Sequence, residues 1–186
     1  MKKQILALLT ACFVLTGCAT TPTPRTAEKK TILDAQVNEA IAVFKARIPD
    51  VQLYFDESVG YAVFPRIVKG AFFVGAMSGR GQVFKNHELV GFSLKRGGSL
   101  GLSFGGQYFR ELIFFENERA LERFQSGEFA FTADATAVAA SAGAAAKTNY
   151  KNGMAVFILT DVGLMADASL GGQKFTYEPV GQTEGN

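Results

Sequence analysis

The chain has 186 residues, of which 48% are hydrophobic and 17 are Phe, so it is long enough for one domain with a sizeable core. It carries 19 basic and 17 acidic residues. Residues 1–17 hold two of the lysines and no acid, which leaves 17 charges of each sign in the remainder. This neutrality argues against a bulk field that would attract nucleic acid. No run of about 18 apolar residues follows position 17, which argues against a transmembrane helix there.

The amino terminus has the organisation of a secretory signal. Lys2 and Lys3 precede an apolar run over residues 5–15, which is too short for a permanent membrane span. The sequence Leu15-Thr16-Gly17-Cys18 resembles the lipobox of bacterial lipoproteins. The resemblance implies a signal peptide of residues 1–17 and fatty acylation of Cys18, for example with palmitate. The alternative is an ordinary signal peptide that contains a cysteine.

Lipidation would decide the fate of both cysteines. Cys12 would leave with the signal peptide and Cys18 would become a thioether, so neither disulfides nor Cys-based metal sites are expected. Several acyl chains, at about 0.8 kcal/mol per buried CH2, anchor a protein stably. An Asp after the cysteine would signal retention in the inner membrane; Ala19 stands there, which favours the outer membrane, facing the periplasm. Residues 18–30 are then a Thr/Pro tether that acts as a semi-rigid spacer.

A helix is predicted over residues 31–48. Thr31 and Asp34 fit a capping box, and Thr26 is an alternative start. Pro49 ends the helix. Five apolar residues recur at spacings of three or four and share one face: Leu33, Val37, Ile41, Phe44 and Ile48. This stripe packs either on the domain or on lipid.

Short strands separated by turns are predicted from residue 60 onward. The predicted strands are 61–64, 72–77, 82–85, 89–96 and 99–108. Pro65, Gly79-Arg80-Gly81 and Gly97-Gly98 are interpreted as strand ends or turns, and Asn86-His87 as a hairpin turn. Residues 99–108 alternate apolar with small or polar side chains, which predicts a strand with one nearly bare face.

The second half of the chain alternates helices and strands. A helix is predicted over 117–125, with Leu121 and Phe124 inward and Gly127 at its end. An Ala-rich helix over 133–146 and strands over 154–160, 164–170 and 175–177 follow, before a loose tail over 181–186. The predicted domain is 31–180, of class α+β. Its sheet is twisted, glycine-rich, mostly antiparallel and able to curl toward a barrel, and it packs with the amino-terminal and Ala-rich helices.

The sequence offers little catalytic chemistry. His87 is the only histidine and is interpreted as a solvated turn residue, so a zinc site or a Ser-His-Asp triad is not expected. Gly79-Arg80-Gly81 is followed by a strand pattern, whereas a phosphate loop needs a helix. Asp134 is interpreted as a helix cap or first-turn acid. We expect no enzyme and no cofactor; a hydrolase is the least favoured reading.

Cations beside aromatic residues are the remaining candidates. If several of them converged on one rim, they would bind anionic lipid headgroups through their phosphates, and exposed aromatics would insert. The alternative is an ordinary solvated surface. The candidate lipid-binding residues are Arg66, Lys69, Phe72, Phe73, Arg80, Lys85, Lys95 and Arg96.

Several segments together resemble the SYLF family, a lipid-binding module found from bacteria to animals. "SVGYAVFP" and "KGAFFVGAMSGRGQVF" resemble its hallmark, and the similarity covers roughly residues 35–175. One departure is Gly171, where the family often has an acid after Ser-Leu. The further matching segments are "GGSLGLSFGGQYFRELIFF", "ALERFQSGEFAFTADATAVAASAG" and "GLMADASLGG".

The resemblance implies binding rather than catalysis. Eukaryotic relatives are associated with phosphoinositides and actin, neither of which is expected in a bacterial envelope, so only generic anionic-lipid binding transfers. The first hypothesis is therefore a non-enzymatic lipoprotein whose partner is membrane phospholipid, with no nucleic acid and an unidentified protein partner. The alternative is a structural or interaction module that binds an envelope protein or peptidoglycan.

Overall fold

The computed structural model describes residues 22–127, 130–131, 138–139 and 150–181. The helices are α1 (Ala27–Arg47), α2 (Val51–Glu57) and α3 (Glu118–Gln125). The strands are β1 (Gly60–Lys85), β2 (Glu88–Phe115), β3 (Ala130–Phe131), β4 (Val138–Ala139) and β5 (Met154–Pro179). They form one sheet in the order β1-β2-β5-β3, with β4 beside β5. The sheet dominates, and the predicted α+β class is confirmed.

Three very long strands, β1, β2 and β5, make up most of the sheet. β1 and β2 pair antiparallel on either side of Asn86-His87, whose φ angles of 48° and 66° suit a two-residue hairpin turn. This turn was predicted correctly. β2 pairs antiparallel with β5 along nearly its whole length, whereas β4 and β5 are parallel. Since β1 and β3 lie at opposite ends of the strand order, the sheet is open in the described residues and is not closed into a barrel.

β1 bends back beside itself. A straight strand of its 26 residues would be about 86 Å long, far more than a domain of this size can hold. The N–H of Asn86 donates to the carbonyl of Val59 over 3.2 Å, so the two ends of the strand lie together. A Cβ on Gly79 would lie 2.8 Å from the carbonyl oxygen of Arg66, and one on Gly81 would overlap that of Val63. The prediction of a turn at Gly79-Arg80-Gly81 is wrong: these glycines let two backbones approach closely within a strand.

Two other predicted strand ends also lie inside strands. Pro65 does not end a strand, because it lies in a β-bulge between Phe64 and Ile67. At a bulge no hydrogen bond between the strands is needed, so the missing N–H of proline is tolerated. Gly97 and Gly98 form no turn either. They pair with β1 on one side and β5 on the other.

α1 begins earlier than the preferred prediction and matches the alternative. The Thr26 side chain caps it by accepting a hydrogen bond from the Lys29 N–H, and the helix ends at Arg47, just before Pro49. The predicted stripe packs on the sheet, so the interpretation that it covers the domain is confirmed. Leu33, Val37, Phe44 and Ile48 are buried in one core cluster, and Ile41 packs against it.

The other two helices differ in how well the sequence predicted them. α3 begins one residue later than predicted, with Asn117 as its N-cap. As predicted, it buries Leu121 and Phe124 and is followed by Gly127, at a φ of 72°. α2 was not predicted. Its Tyr54 and Phe55 rings contact Phe114 at centroid distances of 5.5 and 4.8 Å.

The tether is not a free spacer over its last residues. Pro22 and Pro24 are buried, and the Thr23 N–H donates to the Glu178 carboxylate over 3.1 Å. This segment therefore lies on the domain, next to the end of β5. The predicted leader, Cys18, Asp134 and the tail beyond residue 181 lie outside the described residues. So does the helix predicted over 133–146, apart from Val138–Ala139, which pair with β5 as a short strand.

The core lies on both faces of the sheet. One cluster joins α1 and α2 to Tyr61, Phe114 and Phe157, and the other joins α3 to Phe64 and Phe175. Among the described residues, no helix has both the length and the hydropathy needed to cross a bilayer.

Candidate functional site

Beyond Pro65, β1 presents several large apolar side chains to solvent. Successive side chains of a strand point to opposite sides, which places Arg66, Val68 and Phe72 on one side of β1. Beyond the bulge, Val74 and Arg80 share this side, because an even number of positions separates them. We call this side the uncovered face: Arg66, Val68, Phe72, Val74, Ser78, Arg80 and Tyr108. With Phe73, it holds five of the nine exposed large hydrophobic side chains of the described residues. Such clustering marks an interaction site more often than scattered apolar residues do.

Phe72 and Phe73 form the apolar tip of this face. They are 72% and 49% exposed, and their rings meet edge-on at a centroid distance of 5.0 Å. Phe73 has a φ of 62° at a register shift between Phe72 and Val74, where it lies opposite three residues of β2. A bulky residue in the left-handed region costs about 1–3 kcal/mol. Strain of this kind is typical of sites where a side chain is aimed for function.

The uncovered face also carries cations. The Arg66 guanidinium lies over the Tyr108 ring at 5.1 Å, an arrangement that holds it in place while it remains exposed. Arg66 and Arg80 both line a groove of about 310 Å³ between α1 and the sheet, together with Lys29. Two of the predicted basic residues are thus brought together with a third that the sequence analysis missed. The groove is lined by Pro24, Lys29, Ile32, Leu33, Gln36, Pro65, Arg66, Ser78, Arg80 and Leu94.

Three other predicted cations lie away from this face. Lys85 pairs with Glu118 of α3 over 2.8 Å. Lys69 lines a cavity of about 240 Å³ on the opposite side of the sheet. Lys95 is only 2% exposed and forms an ion pair with Glu111, so the prediction that it contacts headgroups is wrong. Its ammonium group lies 5.7 Å from the Phe109 ring and 5.4 Å from the Phe175 ring.

Arg96 is exposed and alternates with Leu94, which places it on the side of the groove. The predicted basic residues therefore do not form one rim. Arg66, Arg80 and Arg96 belong to the side of α1, and Lys69, Lys85 and Lys95 to the other. Alternation within the strands separates neighbours such as Lys95 and Arg96, which sequence proximity had grouped together.

A cluster of three charged side chains, Arg110, Asp161 and Glu39, ties α1 to the sheet. The Arg110 guanidinium donates to Asp161 over 2.7 Å and to Glu39 of α1 over 3.1 Å. Partial burial alone would lower the pKa of Arg110, but the bonds to the two carboxylates outweigh it and raise the pKa. Because its charge is neutralised on two sides, Arg110 holds the helix in place and offers little to an external anion.

The described residues show no constellation for catalysis. His87 is exposed in the hairpin turn, with its ring 6.0 Å from that of Tyr61. Within those residues, no three His, Cys, Asp or Glu side chains are grouped so as to hold a metal ion. An α+β domain with one uncovered, apolar and basic face has the features of a binding module.

Comparison with known proteins agrees with this class. Residues 96–179 match the sequence profile of the Ysc84 family, described as "Las17-binding protein actin regulator". The chain is also 26% identical over 154 residues to Beta cell expansion factor A of Aeromonas veronii. That match covers 82% of this chain and 59% of the relative. The chain therefore spans less than two thirds of the length of the relative.

The resemblance suggested by the sequence motifs is confirmed over residues 96–179, which match the SYLF domain of the Ysc84 family. This match supports a lipid-binding or interaction module.

Proposed function

We propose that this protein is a non-enzymatic lipid-binding lipoprotein of the bacterial envelope. Cys18 carries the acyl chains, and the domain faces the periplasm from the outer membrane. The uncovered face touches the bilayer, with Phe72 and Phe73 entering the headgroup region and Arg66 and Arg80 contacting anionic phospholipid.

The exposed pair of phenylalanines is the observation that carries this proposal. Full burial of one Phe side chain is worth about 1.5–3 kcal/mol, so two partly inserted rings supply roughly a tenfold to hundredfold gain in binding. The adjacent Arg side chains suit phosphate oxygens, which they meet with paired hydrogen bonds. The lipobox-like sequence before Cys18 supports the anchored state.

Vesicle co-sedimentation of a soluble form that begins after Cys18 tests the insertion. We expect Phe72→Ser/Phe73→Ser to weaken binding to phosphatidylglycerol vesicles by at least about tenfold. Leu53→Ser/Val180→Ser is the matched control, because these residues are 49% and 52% exposed elsewhere on the domain. If the two double variants bind the vesicles with equal affinity, the phenylalanine tip does not contact the bilayer.

Two further measurements test the remaining parts. Salt should weaken the binding, since the Debye length falls from about 10 Å at 0.1 M to about 3 Å at 1 M. Binding that depends on neither salt nor anionic lipid content would contradict the electrostatic contact.

Metabolic labelling with palmitate tests the lipid anchor. The wild-type chain should be labelled and the Cys18→Ser variant should not. Equal labelling of the two chains would contradict acylation at Cys18.

A further inference from the structure

We propose that the cavity of about 240 Å³ on the side of the sheet opposite α1 binds a small uncharged amphiphile with a hydroxyl head and a short aliphatic tail. The buried pair Lys95 and Glu111 holds the head, and the apolar wall of the cavity holds the tail. The site shares no residue with the phenylalanine tip or with Arg66 and Arg80, so it does not rest on the proposed membrane contact.

A bend in β2 builds the floor of this cavity. Glu111 follows Lys95 by 16 positions in the same strand, which would separate them by about 53 Å if the strand were straight. The two side chains nevertheless form an ion pair, so the strand curves until its two halves face each other. Both side chains line the cavity, although they are only 2% and 1% exposed. The cavity therefore lies on the concave side of the bend and has a buried, charged floor.

The ion pair has hydrogen-bonding capacity beyond its own contact. Among the described residues, Lys95 has one hydrogen-bond partner, Glu111, whereas an ammonium group can donate several hydrogen bonds and a carboxylate can accept several. The rings of Phe109 and Phe175, at 5.7 and 5.4 Å from the ammonium nitrogen, attract its charge but accept no ordinary hydrogen bond. Additional hydrogen bonds offset the cost of burying such a pair. A hydroxyl group supplies both kinds, because it can accept from Lys95 and donate to Glu111.

The charges at the floor favour an uncharged head. Lys95 and Glu111 neutralise each other, and a further charge brought out of water costs free energy unless it is paired. An anionic head would be repelled by Glu111 and a cationic head by Lys95, at close range in a buried site. Lys69 also lines the cavity, but it is only partly buried, and solvent screens its charge.

The wall of the cavity suits a short aliphatic tail. Apolar surface comes from Met77 of β1, Phe109 of β2, and Val156 and Ile158 of β5. Phe109 and Val156 are buried, whereas Thr160 is exposed, so the cavity is closed at the ion pair and opens toward Thr160. An apolar cavity of about 150 Å³ in another protein binds benzene, so a space of about 240 Å³ takes a ligand of roughly ten non-hydrogen atoms. Octanol is a probe of about this size.

Methyl NMR of Met77 in the full-length Cys18→Ser chain, which carries no acyl group at that residue, tests the site. Met77 lines the cavity, and its methyl resonance is assigned with Met77→Leu. Octanol should shift this resonance until the shift saturates. At neutral pH, octanoate and octylamine have similar tails but charged heads, and they should bind at least about tenfold more weakly. Equal or tighter binding of either charged compound would overturn the uncharged head. A shift that does not saturate with octanol, or no shift, would overturn the site.

Two variants separate the floor of the cavity from its wall. Lys95→Met/Glu111→Leu removes both charges together and should weaken octanol binding at least about tenfold. Ile158→Phe fills the cavity and should abolish the Met77 shift, whereas Val180→Phe, at a position 52% exposed elsewhere, should bind like the wild type.

Octanol binding that survives the double variant would overturn the role of the ion pair, and binding that survives Ile158→Phe would overturn the site. If the double variant does not fold, the comparison of octanol with octanoate and octylamine in the Cys18→Ser chain decides the nature of the head. None of these measurements uses vesicles, so failure of this site leaves the proposed membrane contact standing.

Discussion

Two regions of β1 have similar composition but opposite surroundings. In the body of the sheet, which includes residues 60–67 and 79–85, side chains such as Val63, Phe64 and Val83 are fully buried. In the arm, residues 68–78, Met77 still packs against the core, but four other apolar side chains are about half or more exposed: Val68, Phe72, Phe73 and Val74. Both regions continue the same ladder with β2. The difference is the cover: helices pack on the buried side chains of the body, whereas Val68, Phe72 and Val74 of the arm stay exposed. Apolar residues alone therefore do not define a core.

Phe114→Ala and Phe72→Ala should show the largest contrast between body and arm. Phe114 is fully buried against α2, so its truncation should lower the free energy of unfolding by about 3–5 kcal/mol. Truncating the exposed Phe72 should change it by less than about 0.5 kcal/mol. Urea denaturation of both variants measures the difference. A large loss for Phe72→Ala would mean that the tip belongs to the core.

Lys95 and Glu111 test a buried ion pair within the body. Lys95→Met leaves Glu111, which is 1% exposed, without its partner and should cost about 3–5 kcal/mol of stability. Adding Glu111→Leu removes the uncompensated charge and should recover most of that loss. The same urea titrations, arranged as a double-mutant cycle, measure the coupling. Additive effects would show that the two side chains act independently.

Gly81→Ala and Gly70→Ala compare backbone packing in the two regions. A Cβ on Gly81 would overlap the carbonyl oxygen of Val63, whereas one on Gly70 would meet nothing within 4 Å. The first substitution should cost about 1–3 kcal/mol, and the second should stay within about 0.5 kcal/mol of wild type. Thermal unfolding is sufficient to rank them. Equal losses would indicate that the arm is as tightly packed as the body.

Tyr150→Phe should have the smallest effect on the free energy of unfolding, and its main effect should appear at alkaline pH. Burial, with smaller contributions from Tyr54, Glu116 and Glu57, raises its pKa to about 12. A phenol in the unfolded chain titrates near pH 10, so the unfolded state loses the proton first and stability falls as pH rises from about 10 to 12. Tyr150→Phe should reduce that fall in urea titrations at successive pH values.

At neutral pH, Tyr150→Phe should leave stability unchanged or slightly higher. The hydroxyl is buried and has no hydrogen-bond partner among the described residues. Its removal therefore eliminates the free-energy penalty of burying an unpaired polar group. Parallel alkaline slopes for the variant and wild type would contradict the shifted pKa. A clear loss at neutral pH would mean that the hydroxyl has a partner.

The candidate site was predictable only in part. Phe72, Phe73, Arg66 and Arg80 could be selected as aromatic residues and cations near glycines, and the structure places them on or beside one face. Lys29 was missed because it lies 37 residues before Arg66, and only the packing of α1 on the sheet brings the two together. Lys95 was misplaced because a sequence does not show which side of a strand is covered.

The sequence by itself determined the features that depend on local physical chemistry. The apolar stripe of α1, the turn at Asn86-His87, the capping of α3 and the family motifs all follow from neighbouring residues and short periods. Only the tertiary structure decided that β1 bends back beside itself, that Lys95 is buried and that the phenylalanine tip is exposed. Burial depends on what covers a surface, and that cover comes from segments far apart in the chain.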